Sequence, residues 1–381
     1  METREVKKII KLIKKLVKKF IRLNEVIYSS DHPLKNISYI NSQKKFIFHN
    51  ISLFGGSRFI VLNNKPFFLS ENFNNPKFID KYLTDEEVNE NIRVKNNSIS
   101  LIFSSYCSEE VAGNTISLMH PCVNNIYHFF FEACFDLLEA HRLNVPFDNL
   151  VIDRGLNSKY YLFIIGLIKV LYPRKKINFF KIAKNEKTIV KNLISFPNKN
   201  FQIQWLRNQK IKPAHYWNKI WLIHAQKIFS NLYKKPSKSK KILFLTRNSS
   251  ARNTINERSI IDFLKKSYII TTFDPVKKSL RSAFYHINKY NIIVGQVSAA
   301  LTNILFAKEK KKFISWKYMC SNNNSLIWSD LFSILGHTLI ELDAKPILSR
   351  EIRLHWQELH ISQSNLYIHP NIIFCALNEK K

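Results

Sequence analysis

The chain has 381 residues, a length that suggests two domains, and its 45% hydrophobic content gives each a core to bury. Only 7 glycines occur and no G-x-G-x-x-G or P-loop run is present, which excludes a glycine-rich dinucleotide fingerprint and a P-loop NTPase. A formal net charge of +31 points to polyanionic partners (nucleic acid, anionic lipid or phosphorylated substrates), although heavy Lys, Asn and Ile usage accounts for part of the excess.

Residues 1–24 open with "EVKKIIKLIKKLVKKFIRL". Ile9, Ile13 and Phe20 fall on one helical face, and Lys7, Lys11, Lys14 and Lys18 fill the rest. This predicts a basic amphipathic helix suited to an anionic membrane surface. Packing on its own protein or on a partner is the alternative. Lysines interrupt the apolar residues throughout, so no signal peptide is expected, and no run of about 18 apolar residues would span a bilayer. Five cysteines without zinc-ligand spacing fit a reduced, intracellular chain with no metal site.

Residues 36–105 alternate apolar runs with turn residues and read as strands and hairpins. From about 114 helices and strands alternate. "NNIYHFFFEACFDLLEAHRL" is helical, "NLVIDRG" a strand and turn, "KYYLFIIGLIKVLY" helical and "INFFKI" a strand. The long helix "WNKIWLIHAQKIFSNLY" then leads to "KKPSKSKK", a polar stretch that reads as a linker. Beyond it, strands from "KILFLTR" to "HTLIEL" alternate regularly with helices, which predicts a parallel sheet. The expected organisation is an N-terminal domain over 30–232, a C-terminal domain over 241–345, and a segment over 346–381 returning to the first domain.

Three constellations carry chemistry. Between Glu186 and Glu257 there is no Asp or Glu but fifteen Lys and Arg. Arg247 and Arg252 in that interval can fork onto a diphosphate in a way lysine cannot. Asn256 can cap the following helix, and Glu257 is compatible with that cap or can accept sugar hydroxyls. A solvated basic loop with an ordinary cap is the plainer alternative. In "NNIYHFFFEACFD", His128 and Glu132 share a helical face that Asp136 continues. Such a pair can act as base and orienting partner, or be a buried histidine satisfied by a carboxylate. In "VGQVSAALTNILF", small residues bring a helix start near a ligand, with Thr302 and Asn303 in its first turns. The same residues also suit plain packing of helix on sheet.

Taken together, Asn-x-x-Tyr-His with an acid four residues on, then Arg247, Arg252, Asn256 and Glu257, then Gly-x-x-x-Ala-x-Leu-Thr-Asn-x-x-Phe, resemble glycosyltransferase family 61 over about 110–320. The family's last motif commonly reads Gly-x-His-Gly-Ala; here Val297 and Ser298 stand at the His and Gly positions. The resemblance implies an α/β GT-B fold, with two Rossmann-like domains facing a cleft, and inverting, metal-independent transfer from a UDP- or CMP-linked sugar. It implies no further cofactor. The implied acceptor is a growing bacterial capsule or lipopolysaccharide-type glycan, or a lipid-linked one. His128 and Glu132 would be catalytic. Arg247, Arg252, Asn256, Glu257, Thr302 and Asn303 would hold the donor, and Asn124, Asn125 and Asp136 would lie on the acceptor side. The expected location is the cytoplasmic face of the membrane, with an anionic surface as partner and no nucleic acid. The alternatives are a non-enzymatic basic protein binding membrane or nucleic acid, and a phosphotransferase acting on polyol-phosphate polymers.

Overall fold

The computed structural model describes residues 23–29, 37–40, 45–56, 59–62, 65–68, 92–95, 98–104, 107–120, 122–184, 186–196, 217–234, 236–237, 239–247, 253–318, 322–347 and 365–379. Arg252 and the amphipathic run over residues 1–22 lie outside them; Leu23 and Asn24 already belong to a strand. The chain divides into two units. The first comprises residues 1–157 and 174–211, and the second residues 158–173 and 212–381. The expected linker near 233–241 therefore falls inside the second unit. The reason is packing: Phe163, Phe229 and Phe306 meet edge to face at 5.5–6.3 Å between centroids. Each such pair adds about 0.5–1.5 kcal/mol beyond burial.

In the first unit, β1 (Leu23–Ser29), β7 (Ser98–Ser104) and β6 (Ile92–Lys95) form an antiparallel sheet. The larger sheet has the order β10-β9-β8-β11-β3-β4-β5, with β2 (Ile37–Ile40) also on β3. Its strands are β3 (Lys45–Phe54), β4 (Phe59–Leu62), β5 (Lys65–Phe68), β8 (Cys107–Ser117), β9 (Asn149–Asp153), β10 (Asn178–Ile182) and β11 (Lys187–Ser195). Pairing is parallel from β10 to β11 and antiparallel beyond, because the early hairpins extend the sheet. The order also curls back: a bridge between Gly55 and Lys184 joins the end of β3 to the residues after β10. A Cβ on Gly55 would lie 1.8 Å from the Ala183 carbonyl oxygen, so only glycine permits this approach. The sheet is thus mixed: parallel where helices connect its strands, as an α/β fold requires, and antiparallel where hairpins extend it. Leu150, Val151 and Ile152 are all buried, as a strand covered on both faces requires.

Between β8 and β9 the chain is helical but not uniform. It runs as α1 (Ile126–His128), a π-helical turn (Phe129–Ala133) and α2 (Phe135–Arg142). Cys134 N–H reaches back five residues to the Phe129 carbonyl at 2.9 Å.

The second unit begins with α3 (Ser158–Leu171), whose Tyr160, Phe163, Ile164, Leu167 and Ile168 form the buried stripe. Next comes α4 (Lys219–Phe229), capped by Asn218 accepting from Trp221 N–H. Then β12 (Ser239–Leu245), α5 (Glu257–Leu264), β13 (Ile270–Phe273), α6 (Leu280–Lys289) and β14 (Tyr290–Gln296) follow. A 3₁₀ helix (Ala299–Phe306), β15 (Lys312–Tyr318), α7 (Asn322–Ile334) and β16 (Thr338–Ile347) complete the alternation. The order β13-β12-β14-β15-β16 is parallel throughout, as the sequence rhythm predicts. It reverses direction at β12, the position where ligands of doubly wound sheets settle, beyond the carboxyl ends. At that point a Cβ on Gly295 would sit 2.8 Å from Leu245 Cβ, so the glycine lets β14 lie against β12.

The C-terminal residues correct one expectation. β17 (Asn365–Tyr367) pairs with β16, and α8 (Pro370–Asn378) follows it. Leu366, Ile368, Ile373 and Ala376 join Ile242, Phe244, Ile260 and Trp316 in one core. These residues complete the second unit rather than returning to the first, because their apolar side chains cover its sheet.

Candidate active site

In the first unit, His120 lies three residues beyond β8, and the helix carrying His128 and Glu132 starts just after it. Two asparagines place that helix. The Asn124 side chain donates to the Gly155 carbonyl at 3.0 Å and accepts from Asn157 N–H at 2.7 Å, tying the helix start to the turn after β9. Asn125 caps α1 by accepting from Tyr127 N–H at 3.0 Å. Both side chains are exposed, and both have a positioning task that the sequence alone did not reveal.

His128 Nδ1 lies 2.9 Å from Glu132 Oε1. The other carboxylate oxygen, Oε2, lies 2.5 Å from His120 Nε2. The two imidazoles stack, with centroids 5.0 Å apart and planes 20° from parallel. Side-chain exposure is 1% for His120, 3% for Glu132 and 19% for His128, so His128 is the outward member. With its Nδ1 facing Glu132, His128 has Nε2 left as its outward nitrogen.

The three ligand-type atoms lie within 4.8 Å of one another, which makes the cluster a conceivable cation site.

Asp136 does not continue the His128–Glu132 face. The π-helical turn inserts an extra residue and resets the phase of α2. Its carboxylate instead accepts from Ser195 Oγ–H at 3.0 Å and Phe196 N–H at 3.1 Å, at the end of β11. Burial of the carboxyl pushes Asp136 up to about 7, against the pull of those two donors.

In the second unit, the carboxyl ends of β12 and β14 carry a separate polar group. Arg247, two residues past β12 and half-buried, donates its main-chain N–H to Glu257 Oε2 at 3.2 Å. Burial raises the Glu257 pKa, and the nearby Asp274 charge adds to the rise. Thr254 donates to Gln296 Oε1 at 3.0 Å and accepts from Trp316 Nε1–H at 2.8 Å.

Asn256 precedes α5 but makes no side-chain cap, which corrects the capping expectation. Its amide donates to the Ile368 carbonyl at 2.8 Å and accepts from Ile368 N–H at 3.5 Å. The main chain of 253–256 already pairs with β17, through Leu366 N–H to Asn253 O and Ile255 N–H to Leu366 O. That pairing turns Asn256 toward the C-terminal segment.

Thr302 and Asn303 are buried, at 0% and 1% exposure. Asn303 donates to the Ala300 carbonyl at 2.7 Å, while Thr302 Oγ1 and Asn303 Oδ1 have no partner among the described residues. Ser298, at a position where the related motif has glycine, caps the 3₁₀ helix by accepting from Ala300 N–H.

His120, Thr254, Gln296 and Trp316 were not singled out from the sequence. Gln296 could have been, since it ends a strand inside a quoted motif. His120 stands alone after a strand, with no periodic partner to mark it.

Residues 117–314 match the family model Glycosyltransferase 61. The chain belongs to glycosyltransferase family 61. The matched span runs from the end of β8 to the middle of β15 and contains His120, His128, Glu132, Arg247, Thr254, Glu257, Gln296, Thr302 and Asn303, while Trp316 and the C-terminal partners of 253–256 lie beyond it. No curated protein matches the chain.

Proposed function

We propose that this family-61 chain is an inverting GT-B glycosyltransferase that moves a sugar from a nucleotide-linked donor onto a hydroxyl of a growing bacterial surface glycan. The observation that carries this is His128, outward-facing, with its Nδ1 held by Glu132 in a family of glycosyl-transferring enzymes.

In the proposed step, the acceptor O–H gives its proton to His128 Nε2 as its oxygen attacks the anomeric carbon. The bond from that carbon to the donor phosphate breaks, and the phosphate leaves with the electron pair. Glu132 fixes the histidine tautomer and stabilises the imidazolium that forms. Charge grows on the leaving group, so the guanidinium of Arg247, with Arg252, is assigned to it. Glu257 is assigned to donor hydroxyls, and no metal ion is needed. We place the enzyme at the cytoplasmic membrane surface through its basic N-terminal residues.

A panel of UDP- and CMP-sugars, read by nucleotide release and by NMR of the product's anomeric configuration, tests the proposal. Release with inverted product in the wild type, lost in His128→Ala with its melting temperature preserved, is the expected result. A folded His128→Ala enzyme that keeps a tenth or more of wild-type turnover removes His128 as base. A retained anomeric configuration removes the inverting step.

A further inference from the structure

α3 is apolar on nearly every side, yet only one face meets the core. Tyr160, Phe163, Ile164, Leu167 and Ile168 are buried. On the opposite side Leu162, Gly166 and Val170 follow at four-residue spacing, with Leu162 66% and Val170 56% exposed. A Cβ at Gly166 would meet nothing within 4 Å, so the stripe is open along its middle. A helix that is apolar all round is ordinarily buried all round.

The loop after β13 extends this surface. Lys159, in the first turn of α3, donates from Nζ to the Val276 carbonyl at 3.0 Å, which brings the loop beside the start of the helix. Asp274 Oδ1 accepts from Val276 N–H at 2.9 Å and Lys277 N–H at 3.4 Å. Its other oxygen lies 3.8 Å from Lys277 Nζ. The turn so formed leaves the Val276 side chain 69% exposed, with Lys278 exposed two residues on.

We propose that Leu162, Val170 and Val276, with the lysines around them, form a docking surface for an anionic lipid bilayer. This rests on the membrane placement given above and adds the surface that meets lipid. Charge selects the occupant. Residues 154–185 and 275–308 contain no Asp or Glu. Lys169 and Lys278 are exposed, and their ammonium groups can stay with headgroup phosphates while the apolar side chains enter the interface. The same charge opposes a second copy of this face. Nucleic acid would meet the lysines but would not bury the leucine and valines. Val276 follows the carboxyl end of β13, which runs parallel to β12, so docking brings the end of the sheet that carries Arg247 toward the layer in which a lipid-linked acceptor is held. The basic N-terminal run and this face act together, and neither has to hold the chain alone.

The test titrates the full chain with vesicles of phosphatidylcholine plus phosphatidylglycerol, and with phosphatidylcholine alone, reading partition by sedimentation. The wild type should partition into the anionic vesicles only. Leu162→Ser combined with Val276→Ser should lower that partition at least about 10-fold, the scale of withdrawing two apolar side chains from a half-buried position. Its melting temperature and its turnover on a soluble acceptor should stay as in the wild type. Lys278→Gln should lower the partition less. Ile372→Ser removes an exposed apolar residue of α8 and should leave it unchanged. A folded double variant that partitions like the wild type overturns the proposal, and so does an equal loss in Ile372→Ser. Self-association of the wild type that the double variant abolishes would assign the face to a second copy and overturn it too. A wild type that ignores anionic vesicles sinks the membrane placement as well, whereas wild-type binding untouched by the double variant sinks this surface alone.

Discussion

Arg247 and Glu257 meet through the main chain of one and the side chain of the other, over 3.2 Å. The bond that joins the strand end to the first turn of α5 thus uses the Arg247 main chain. Arg247→Ala should leave the fold intact by thermal melt while lowering turnover about 10²-fold, the scale of one preorganised charge-stabilising donor. Arg247→Lys should recover little of it, because an ammonium lacks the fork. Near-normal turnover in the alanine variant would remove Arg247 from the leaving group.

Asn256 should behave in the opposite way. Asn256→Ala removes both bonds to the Ile368 backbone and should cost about 1–3 kcal/mol of stability. Denaturant melts and donor titration on one preparation separate the two roles. A lower midpoint with unchanged donor affinity is expected; unchanged stability with weakened donor binding would return Asn256 to the donor site.

Asp136 gives a pH signature. Its folded pKa, about 7, lies above the ordinary 3.8, so between those values the folded state holds a proton the unfolded state has lost. The Asp136 contribution to stability therefore falls as pH rises from about 4 to 7. His337, lowered to about 4 by burial and by Lys311, works the other way between about 4 and 6.5. The comparison must therefore be between variant and wild type. Asp136→Asn can still accept from Phe196 N–H and can donate to Ser195 Oγ. It should gain stability relative to wild type as pH rises from 4 to 8, by melting temperature. A difference that stays constant with pH would refute the assignment.

Removing residues 1–22 should release the protein from anionic vesicles, since each lysine near such a surface contributes about 1 kcal/mol. Turnover on a soluble acceptor should persist. Sedimentation of the shortened chain with vesicles as complete as that of the full chain would rule out the anchor.

The parallel sheet of the second unit was legible because its short apolar strands alternate with amphipathic helices whose periods differ visibly. His128 with Glu132 was legible from the four-residue spacing alone. Asp136 was misplaced because π-helical hydrogen bonding leaves no mark in an apolar run such as "FFFEACF". The tasks of Asn124, Asn125 and Asn256 were hidden for a different reason. Their partners are main-chain groups far along the chain, such as Gly155 and Ile368, and any residue type can supply those.

The core of the second unit draws on Leu366, Ile368, Ile373 and Ala376, some 125 residues after the first residue of β12. During synthesis the chain emerges from its N-terminal end, at about 5–20 residues per second. The parallel strands are thus made well before the residues that cover them. Until then β16 lacks its last neighbour, and the 253–256 stretch lacks the backbone it pairs with. The loop assigned to the donor can take its final form only after the far end of the chain has been made, so a nascent or clipped chain should have the first unit's histidine cluster before it has a working donor loop.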